Sequence, residues 1–219
     1  WTVYAVARSK DKLDELSRQA GINAVSLDLT DDGAVKAAAE QLQTDGVVLD
    51  LLLLNAGTCE YVDVADLDLA AFDRTFAINF HAVVSSTKYF LPLLQASLTP
   101  KLAIVSSMAH FFPFTKAQAY GASKAATSYF ADSLRLDLAG SGISVHLIEP
   151  GFVDTPLTQK NDFAMPFLLP VQEAAKRVYN GLQQGKTRLR FPLRLSLLLK
   201  TLSMLPYGLR NSVAQRMKQ

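Results

Sequence analysis

Two side chains that could transfer a proton lie four residues apart in the stretch AYGASKAA. On a helix, Tyr120 and Lys124 would lie one turn apart on the same face. An isolated tyrosine hydroxyl has a pKa of about 10, and a nearby ammonium group lowers that pKa by favouring the phenolate. A lower pKa would bring the tyrosine closer to the range in which proton transfer at neutral pH is efficient, and Lys124 could also donate hydrogen bonds to a ribose. Such a pair alone is common by chance.

A serine hydroxyl lies thirteen residues before the tyrosine. Ser107 ends the strand-like run LAIVSS, and open α/β sheets bind their ligands at the carboxyl ends of parallel strands. At that position a hydroxyl could hydrogen-bond a substrate carbonyl and stabilise developing negative charge. The alternative is a serine that only caps a turn.

The segments around these residues alternate short apolar runs with longer amphipathic stretches. This alternation predicts one α/β domain with a doubly wound parallel sheet, in which crossover helices join buried strands. The predicted strands are Thr2–Ala7, Ala24–Leu27, Leu49–Leu54, Leu102–Ser106 and Ser144–Ile148, and the predicted helices are at about 10–20, 31–44, 67–96 and 119–139.

Several motifs occur together along residues 1–158. IVSS is followed after thirteen residues by YGASK, LLLLNAG occupies 51–57, Asn79 lies in FAINF, and IEPGFVDTPLT occupies 148–158. In this order and at these spacings the motifs resemble the short-chain dehydrogenase/reductase family. The resemblance implies a Rossmann-like fold and an NAD(P)-dependent enzyme that acts on alcohol or carbonyl groups.

The resemblance assigns catalytic roles to four residues. Tyr120 would protonate the carbonyl oxygen during reduction, while Lys124 would lower the pKa of that tyrosine and hold the nicotinamide ribose. Ser107 would orient the substrate oxygen. Asn79 would hold a water that links Lys124 to solvent, with a purely structural buried asparagine as the alternative.

The resemblance also implies a cofactor site. Asn55, Ala56 and Gly57 would border the cofactor, and Asp28 would lie beside the adenine. The segment that contains Pro150, Gly151, Val153 and Thr155 would contact the nicotinamide and the phosphates. The full predicted set is Arg8, Asp28, Asn55, Ala56, Gly57, Tyr120, Lys124, Pro150, Gly151, Val153 and Thr155.

The end of the first strand predicts the choice of cofactor. An acidic residue there would bind the ribose 2′-hydroxyl of NAD, but this strand ends with Ala7 followed by Arg8. Because an arginine can pair with a 2′-phosphate, we expect NADP(H) to be favoured over NAD(H). The alternative is that Arg8 is a solvated loop residue.

The family's glycine-rich turn does not occur in this sequence. We expect that turn, the first strand and the first helix of the fold to precede Trp1, in roughly 25–30 further residues. Residues 1–158 would then form an N-terminally incomplete cofactor-binding core, and 159–219 a helical substrate lid of the same domain. The apolar loop His110–Phe114 suggests an apolar or lipid-like substrate, or a loop that packs on its own domain.

Charge is segregated along the chain. Residues 1–173 contain 12 Lys/Arg and 20 Asp/Glu, whereas residues 174–219 contain 10 Lys/Arg and no acidic residue. Such a tail predicts an anionic neighbour, which could be a lipid surface, a substrate or a protein; a solvated face is the alternative. The leucine-rich stretch 189–209 contains three charges and two prolines, so we expect peripheral membrane contact, a cleft cover or plain packing, but no span.

Cysteine and histidine usage excludes other classes of protein. The single Cys59 cannot form an intrachain disulfide, and the three histidines lack metal-ligand spacing, so we expect a cytoplasmic protein without a structural metal. No nucleic-acid-binding motif is present. Competing functions are a catalytically idle dinucleotide-binding scaffold or redox sensor, a nucleotide-sugar epimerase or dehydratase, and a membrane protein that acts through its tail. By resemblance we expect a homodimer or homotetramer that pairs through helices at 70–96 and 119–139.

Overall fold

Strands and helices alternate along the chain as the sequence predicts. A computed structural model describes residues 1–161 and 163–216. The strands are β1 (Val3–Ala7), β2 (Ile22–Ser26), β3 (Leu51–Leu54), β4 (Lys101–Val105), β5 (Ser144–Pro150) and β6 (Arg188–Phe191). The helices are α1 (Lys10–Ser17), α2 (Asp32–Thr44), α3 (Leu69–Phe76), α4 (Ala82–Gln95), α5 (Gln118–Asp137), α6 (Val171–Gln183), α7 (Leu193–Ser203) and α8 (Tyr207–Arg216).

All the strand pairs are parallel, which confirms the predicted α/β fold class. β3, β4, β5 and β6 form a four-stranded sheet in that order, and β1 and β2 form a separate pair. Exposed valines on β1 and the exposed Leu53 on β3 leave apolar surface on both sheets. The expectation that a strand preceding Trp1 belongs to this fold stays a prediction.

Helices cover both faces of the four-stranded sheet because neighbouring side chains of a strand point to opposite sides. On β4, Leu102 and Ile104 pack in a core cluster that includes Leu94 of α4 and Ala131 of α5. Ala103, between them, packs with residues of β6 and α6 on the other face. A third cluster, in which Val35 and Ala39 of α2 meet Phe90 and Leu93 of α4, joins the β1–β2 pair to the rest.

The structure divides the single predicted sheet into two, and it differs from the predicted elements at two further places. The helix predicted at 67–96 is interrupted by a π-helical turn, Ala77–His81, between α3 and α4. β6 was not predicted, because its sequence RLRF alternates arginines with apolar residues instead of forming an apolar run. None of the helices in the described part of the chain is both long and apolar enough to cross a membrane.

Candidate active site

Several of the predicted site residues lie at the carboxyl ends of three adjacent strands. Asn55, Ala56 and Gly57 follow β3, and Ser107 follows β4. Pro150 ends β5, which pairs with β4, and Gly151 follows it. These strands therefore bring segments far apart in sequence to one edge of the sheet, where open α/β folds bind ligands.

Ser107 caps a turn and also contacts the predicted acid/base, while its role toward a substrate oxygen stays a prediction. Its Oγ accepts a hydrogen bond of 3.1 Å from the Ala109 amide and so caps the short 3₁₀ turn Met108–His110. It also hydrogen-bonds the Tyr120 side chain, and this bond acts to lower the pKa of the phenol. The serine and the tyrosine hydroxyls therefore meet in one site.

Burial moves the pKa values of Tyr120 and Lys124 in opposite directions. Although the tyrosine as a whole is only half-buried, desolvation of its hydroxyl raises its pKa to about 12. Burial also lowers the pKa of Lys124 to about 8. The pKa of Tyr120 is raised because desolvation outweighs the favourable Ser107 hydrogen bond. The sequence-based expectation that Lys124 lowers this pKa stays a prediction.

Lys124 is anchored to the end of β4. Its Nζ donates a hydrogen bond of 3.0 Å to the Val105 carbonyl, and its own backbone carbonyl accepts one of 2.9 Å from the Ser106 hydroxyl. Since an ammonium group carries three N–H donors, Lys124 can hold Val105 and also donate to the hydroxyls of a ribose.

Asn79 lies on the π-helical turn and is fully buried. Its Oδ1 accepts from the Thr58 amide at 2.8 Å, and its Nδ2 donates to the Thr58 carbonyl at 2.9 Å and to Ser123 Oγ at 2.9 Å. A Cβ added to Gly57 would lie 3.1 Å from Asn79 Oδ1 and 3.3 Å from Lys124 Nζ. The asparagine, the lysine and the Gly57 backbone are therefore packed together; the water-holding role of Asn79 stays a prediction.

Cys59 also lies near Lys124 and Tyr120, and no motif in the sequence predicts this proximity. Burial raises the pKa of its thiol, while the charge of Lys124 acts against that rise, and Cys59 in turn perturbs the pKa of Tyr120. Only the fold brings this cysteine close to α5.

Arg8 and Asp28 lie beside each other after β1 and β2. A salt bridge of 3.8 Å joins Arg8 NH1 to Asp28 Oδ2, and both side chains are substantially exposed. Hydrogen bonds from the Thr30 backbone and hydroxyl hold the pKa of Asp28 below its usual range. Exposed ion pairs are weak, so the guanidinium of Arg8 can turn to a phosphate at little cost.

The segment after β5 is held by its own hydrogen bonds. Val153 forms a parallel β-bridge with Leu169, and its carbonyl accepts a hydrogen bond from the Thr158 hydroxyl. The Thr155 amide donates to Thr158 Oγ1 at 3.0 Å. Val153 and Thr155 therefore lie on a defined turn that follows Pro150 and Gly151.

A buried ion-pair network supports the loop beyond Ser107. Glu149 on β5 is fully buried and contacts His110 Nε2 at 2.8 Å and Arg190 Nε at 2.6 Å. Although burial acts to raise the pKa of Glu149, the bonds from His110 and Arg190 hold it below the usual range. The network ties the Ser107 loop to β5 and β6.

The aromatic residues of this loop face the protein itself. Phe112 is buried in a cluster with Met108, Leu195 and Leu199, and Phe111 and Phe114 pack against that cluster. The sequence allows two interpretations of this loop, contact with an apolar substrate or packing on its own domain. The positions of these phenylalanines favour packing on the domain. Among the residues that the structure describes, no group of three or more His, Cys, Asp or Glu could hold a metal.

Comparisons with known proteins agree with this geometry. A family model described as short chain dehydrogenase matches residues 1–165. An uncharacterised oxidoreductase of Myxococcus xanthus is 31% identical over 221 residues, which cover 99% of this chain and 87% of that protein. The NADPH-dependent 1-acyldihydroxyacetone phosphate reductase of Schizosaccharomyces pombe is 33% identical over 161 residues, which cover 72% of this chain and 53% of that protein.

A solved structure shares the fold. The crystal structure of a short chain dehydrogenase from Burkholderia cenocepacia J2315 in complex with NADP superposes with a TM-score of 0.83 at 22% identity and covers 100% of this chain and 86% of that chain.

The buried Glu149 network predicts an acid-sensitive contribution to stability. Because the pKa of folded Glu149 is lowered, the carboxylate stabilises the fold above the ordinary glutamate range, and this contribution is lost as the pH falls below that range. Glu149→Gln should lower the free energy of unfolding at neutral pH by about 3 kcal/mol, since it leaves Arg190 without its buried charge partner. Urea denaturation at a series of pH values should also give a flatter acid limb for this variant.

The matched control for this prediction is Glu173→Gln. Glu173 forms an exposed ion pair with Arg177 on α6, so the variant should lose no more than about 0.5 kcal/mol. Equal losses for the two variants would contradict the structural role of the Glu149 network.

Proposed function

This chain belongs to the short-chain dehydrogenase/reductase family of NAD(P)-dependent oxidoreductases, and we propose that it interconverts a carbonyl and an alcohol, with NADP(H) as the preferred cofactor. The observation that carries the proposal is the meeting of Ser107, Tyr120 and Lys124 at the carboxyl end of β4. A nicotinamide bound at this edge of the sheet would supply or accept the hydride.

Each group of the site has a distinct proton or hydrogen-bonding role in reduction. A phenol with a pKa of about 12 stays protonated at neutral pH, so Tyr120 can deliver its proton to the carbonyl oxygen as negative charge develops there. Ser107, which already bonds the phenol, can donate to the same oxygen and fix its position. The Lys124 ammonium stabilises the phenolate that remains and orients the ribose.

Residues around the site fit a dinucleotide by their chemistry. The Gly57 backbone lies against Asn79 and Lys124, where a side chain would compete for the space beside the ammonium group. Arg8 offers a guanidinium at the end of β1 for a 2′-phosphate. The similarity to the S. pombe reductase, whose name states NADPH dependence, supports that choice. Asp28, Asn55, Ala56, Pro150, Gly151, Val153 and Thr155 would border the cofactor.

We further propose an apolar or lipid-like substrate. Phe163 makes edge contacts with Tyr61 and Phe152, so aromatic surface lies next to the segment that follows β5. The Tyr61 hydroxyl donates to Asn161 at 2.6 Å, which ties the segment after β3 to this second segment. The name of the S. pombe relative, NADPH-dependent 1-acyldihydroxyacetone phosphate reductase, supports a substrate that carries an acyl chain.

We also propose that the protein works in a reducing cytoplasmic compartment and that it forms a homo-oligomer. Cys59, half-buried beside Tyr120, is kept as a thiol in such a compartment. The exposed surface of α5 carries a shallow groove lined by Phe80, Ala125, Ala126, Tyr129, Phe130 and Ser133. This apolar helix surface supports pairing between two copies.

Replacement of the phenol tests the chemistry directly. Tyr120→Phe should lower kcat with NADPH and a panel of apolar ketones by about 10²–10⁴-fold, because it removes the proton donor. The affinity for NADPH, measured by fluorescence titration, should change little. Tyr179→Phe removes the hydroxyl of an exposed tyrosine on α6 and should leave turnover unchanged. Cofactor binding without turnover in the unmodified protein would favour the idle scaffold or redox sensor.

Arg8 tests the cofactor preference. Arg8→Ala should raise the KM for NADPH by about tenfold or more and leave the KM for NADH nearly unchanged, because only NADPH carries the 2′-phosphate. Steady-state kinetics with both cofactors measures the difference. Arg18→Ala, which removes an exposed arginine at the end of α1, should affect neither KM. An equal effect of Arg8→Ala on both cofactors would argue against the assignment.

The proposed pairing surface can be tested by charge. Ala125→Arg should reduce the mass of the particle in light scattering, because it brings a like charge from each copy into the groove. Ala37→Arg, on the exposed face of α2, should leave the mass unchanged. An oligomer that persists in Ala125→Arg would exclude this face.

A further inference from the structure

Helix α7 is apolar on two opposite faces. Its inner face contributes Leu195 and Leu199, which are buried against Met108 and Phe112 of the loop that follows Ser107. Its outer face carries three leucines, at 193, 197 and 198, and continues into Met204. Exposed apolar surface of this kind marks an interaction site, and this outer face has no apolar partner in the described chain.

The inner face connects α7 directly to the candidate active site. Besides the Ser107 loop, α7 contacts the segment after β5, where a Cβ added to Gly151 would lie 2.7 Å from Leu195 Cδ2. α7 therefore packs on two segments that border the candidate site. A partner bound to its outer face would lie one helix diameter from those segments.

The outer face is strongly exposed. Leu193 is 73% exposed, Leu197 70% and Met204 82%, which is far above what side chains of this kind retain in a packed interior. On a helix these three positions fall within one narrow stripe, because the spacings of four and seven residues return to the same side.

The positive charges near this stripe favour an anionic partner over a second copy of the chain. Arg194 is exposed beside the leucines, and residues 174–219 contain 10 Lys/Arg without an acidic residue. A second copy that pairs through the same face would bring Arg194 of both copies together without a compensating acid from this tail. An anionic surface attracts these charges instead, and a lipid surface also accepts the leucines.

We propose that the outer face of α7, formed by Leu193, Arg194, Leu197, Leu198 and Met204, docks on the surface of an anionic lipid bilayer. The apolar side chains insert at the boundary between headgroups and acyl chains, and Arg194 pairs with the headgroups. Because the opposite face of α7 packs on the Ser107 loop, docking brings the candidate site next to the membrane. The delivery of an apolar substrate from the bilayer rests on the proposed function; the docking itself does not.

Vesicle flotation tests the docking. The protein should float with vesicles of phosphatidylcholine and phosphatidylserine in a seven-to-three ratio and should remain mostly unbound with phosphatidylcholine alone. Leu197→Ser should lower the partition coefficient by about tenfold, since it removes a buried leucine from the lipid contact. The matched control is Leu98→Ser, because Leu98 is 99% exposed but lies between α4 and β4, and this variant should bind like the unmodified protein.

The charge of the surface is tested separately. Arg194→Gln should lower binding to the anionic vesicles by about fivefold, and binding of the unmodified protein should fall as salt is added. Arg18→Gln, with the same loss of charge at the end of α1, should have a much smaller effect. Circular dichroism and urea denaturation establish that each variant is folded as the unmodified protein is.

Several outcomes would overturn the proposal. These are the absence of flotation with anionic vesicles, equal binding to neutral and anionic vesicles, and equal losses for Leu197→Ser and Leu98→Ser. A change of oligomeric mass in Leu197→Ser without a change in lipid binding would assign the face to a second copy instead. Lipid binding without turnover of any carbonyl would refute the proposed function alone, and turnover without lipid binding would refute the docking alone.

Discussion

The burial of the Lys124 side chain is the constraint on which the candidate site depends. An ammonium group removed from water must be hydrogen-bonded, and the Val105 carbonyl provides that bond at the end of β4. Around it, the Ser106 hydroxyl bonds the Lys124 carbonyl and the Ser128 side chain, while the Thr127 hydroxyl bonds the carbonyl of Asn79. These polar contacts fix the position of α5 against both β4 and the π-helical turn.

The same burial explains the electrostatic character of the site. Desolvation penalises charge on any group, so it raises the pKa of the Tyr120 phenol and lowers that of the Lys124 ammonium. Both groups are thereby moved toward their neutral forms. A reaction that develops negative charge on a substrate oxygen would favour the charged form of Lys124. The ammonium group would in turn stabilise that negative charge.

The sequence predicts the parts of this molecule that depend on local patterns. Buried parallel strands such as β4 read as apolar runs, and the motif around Tyr120 and Lys124 places both on one helix. The Glu149–Arg190 network could not be predicted from the sequence, because it joins β5 to β6. The alternating arginines of β6 keep that strand from being recognised as an apolar run. The π-helical turn at Asn79 was also missed, since its i→i+5 hydrogen bonds extend over only five residues of a long helical segment and have no residue pattern of their own.

The attachment of the β1–β2 pair has a mechanical consequence. Arg8 lies on this pair, whereas Ser107 lies on the four-stranded sheet, and the seam between them is the contact of α2 with α4. Packed helix seams can slide slightly without unfolding. The separation between Arg8 and Ser107 is therefore set by the packing of side chains such as Val35 and Phe90 in that seam.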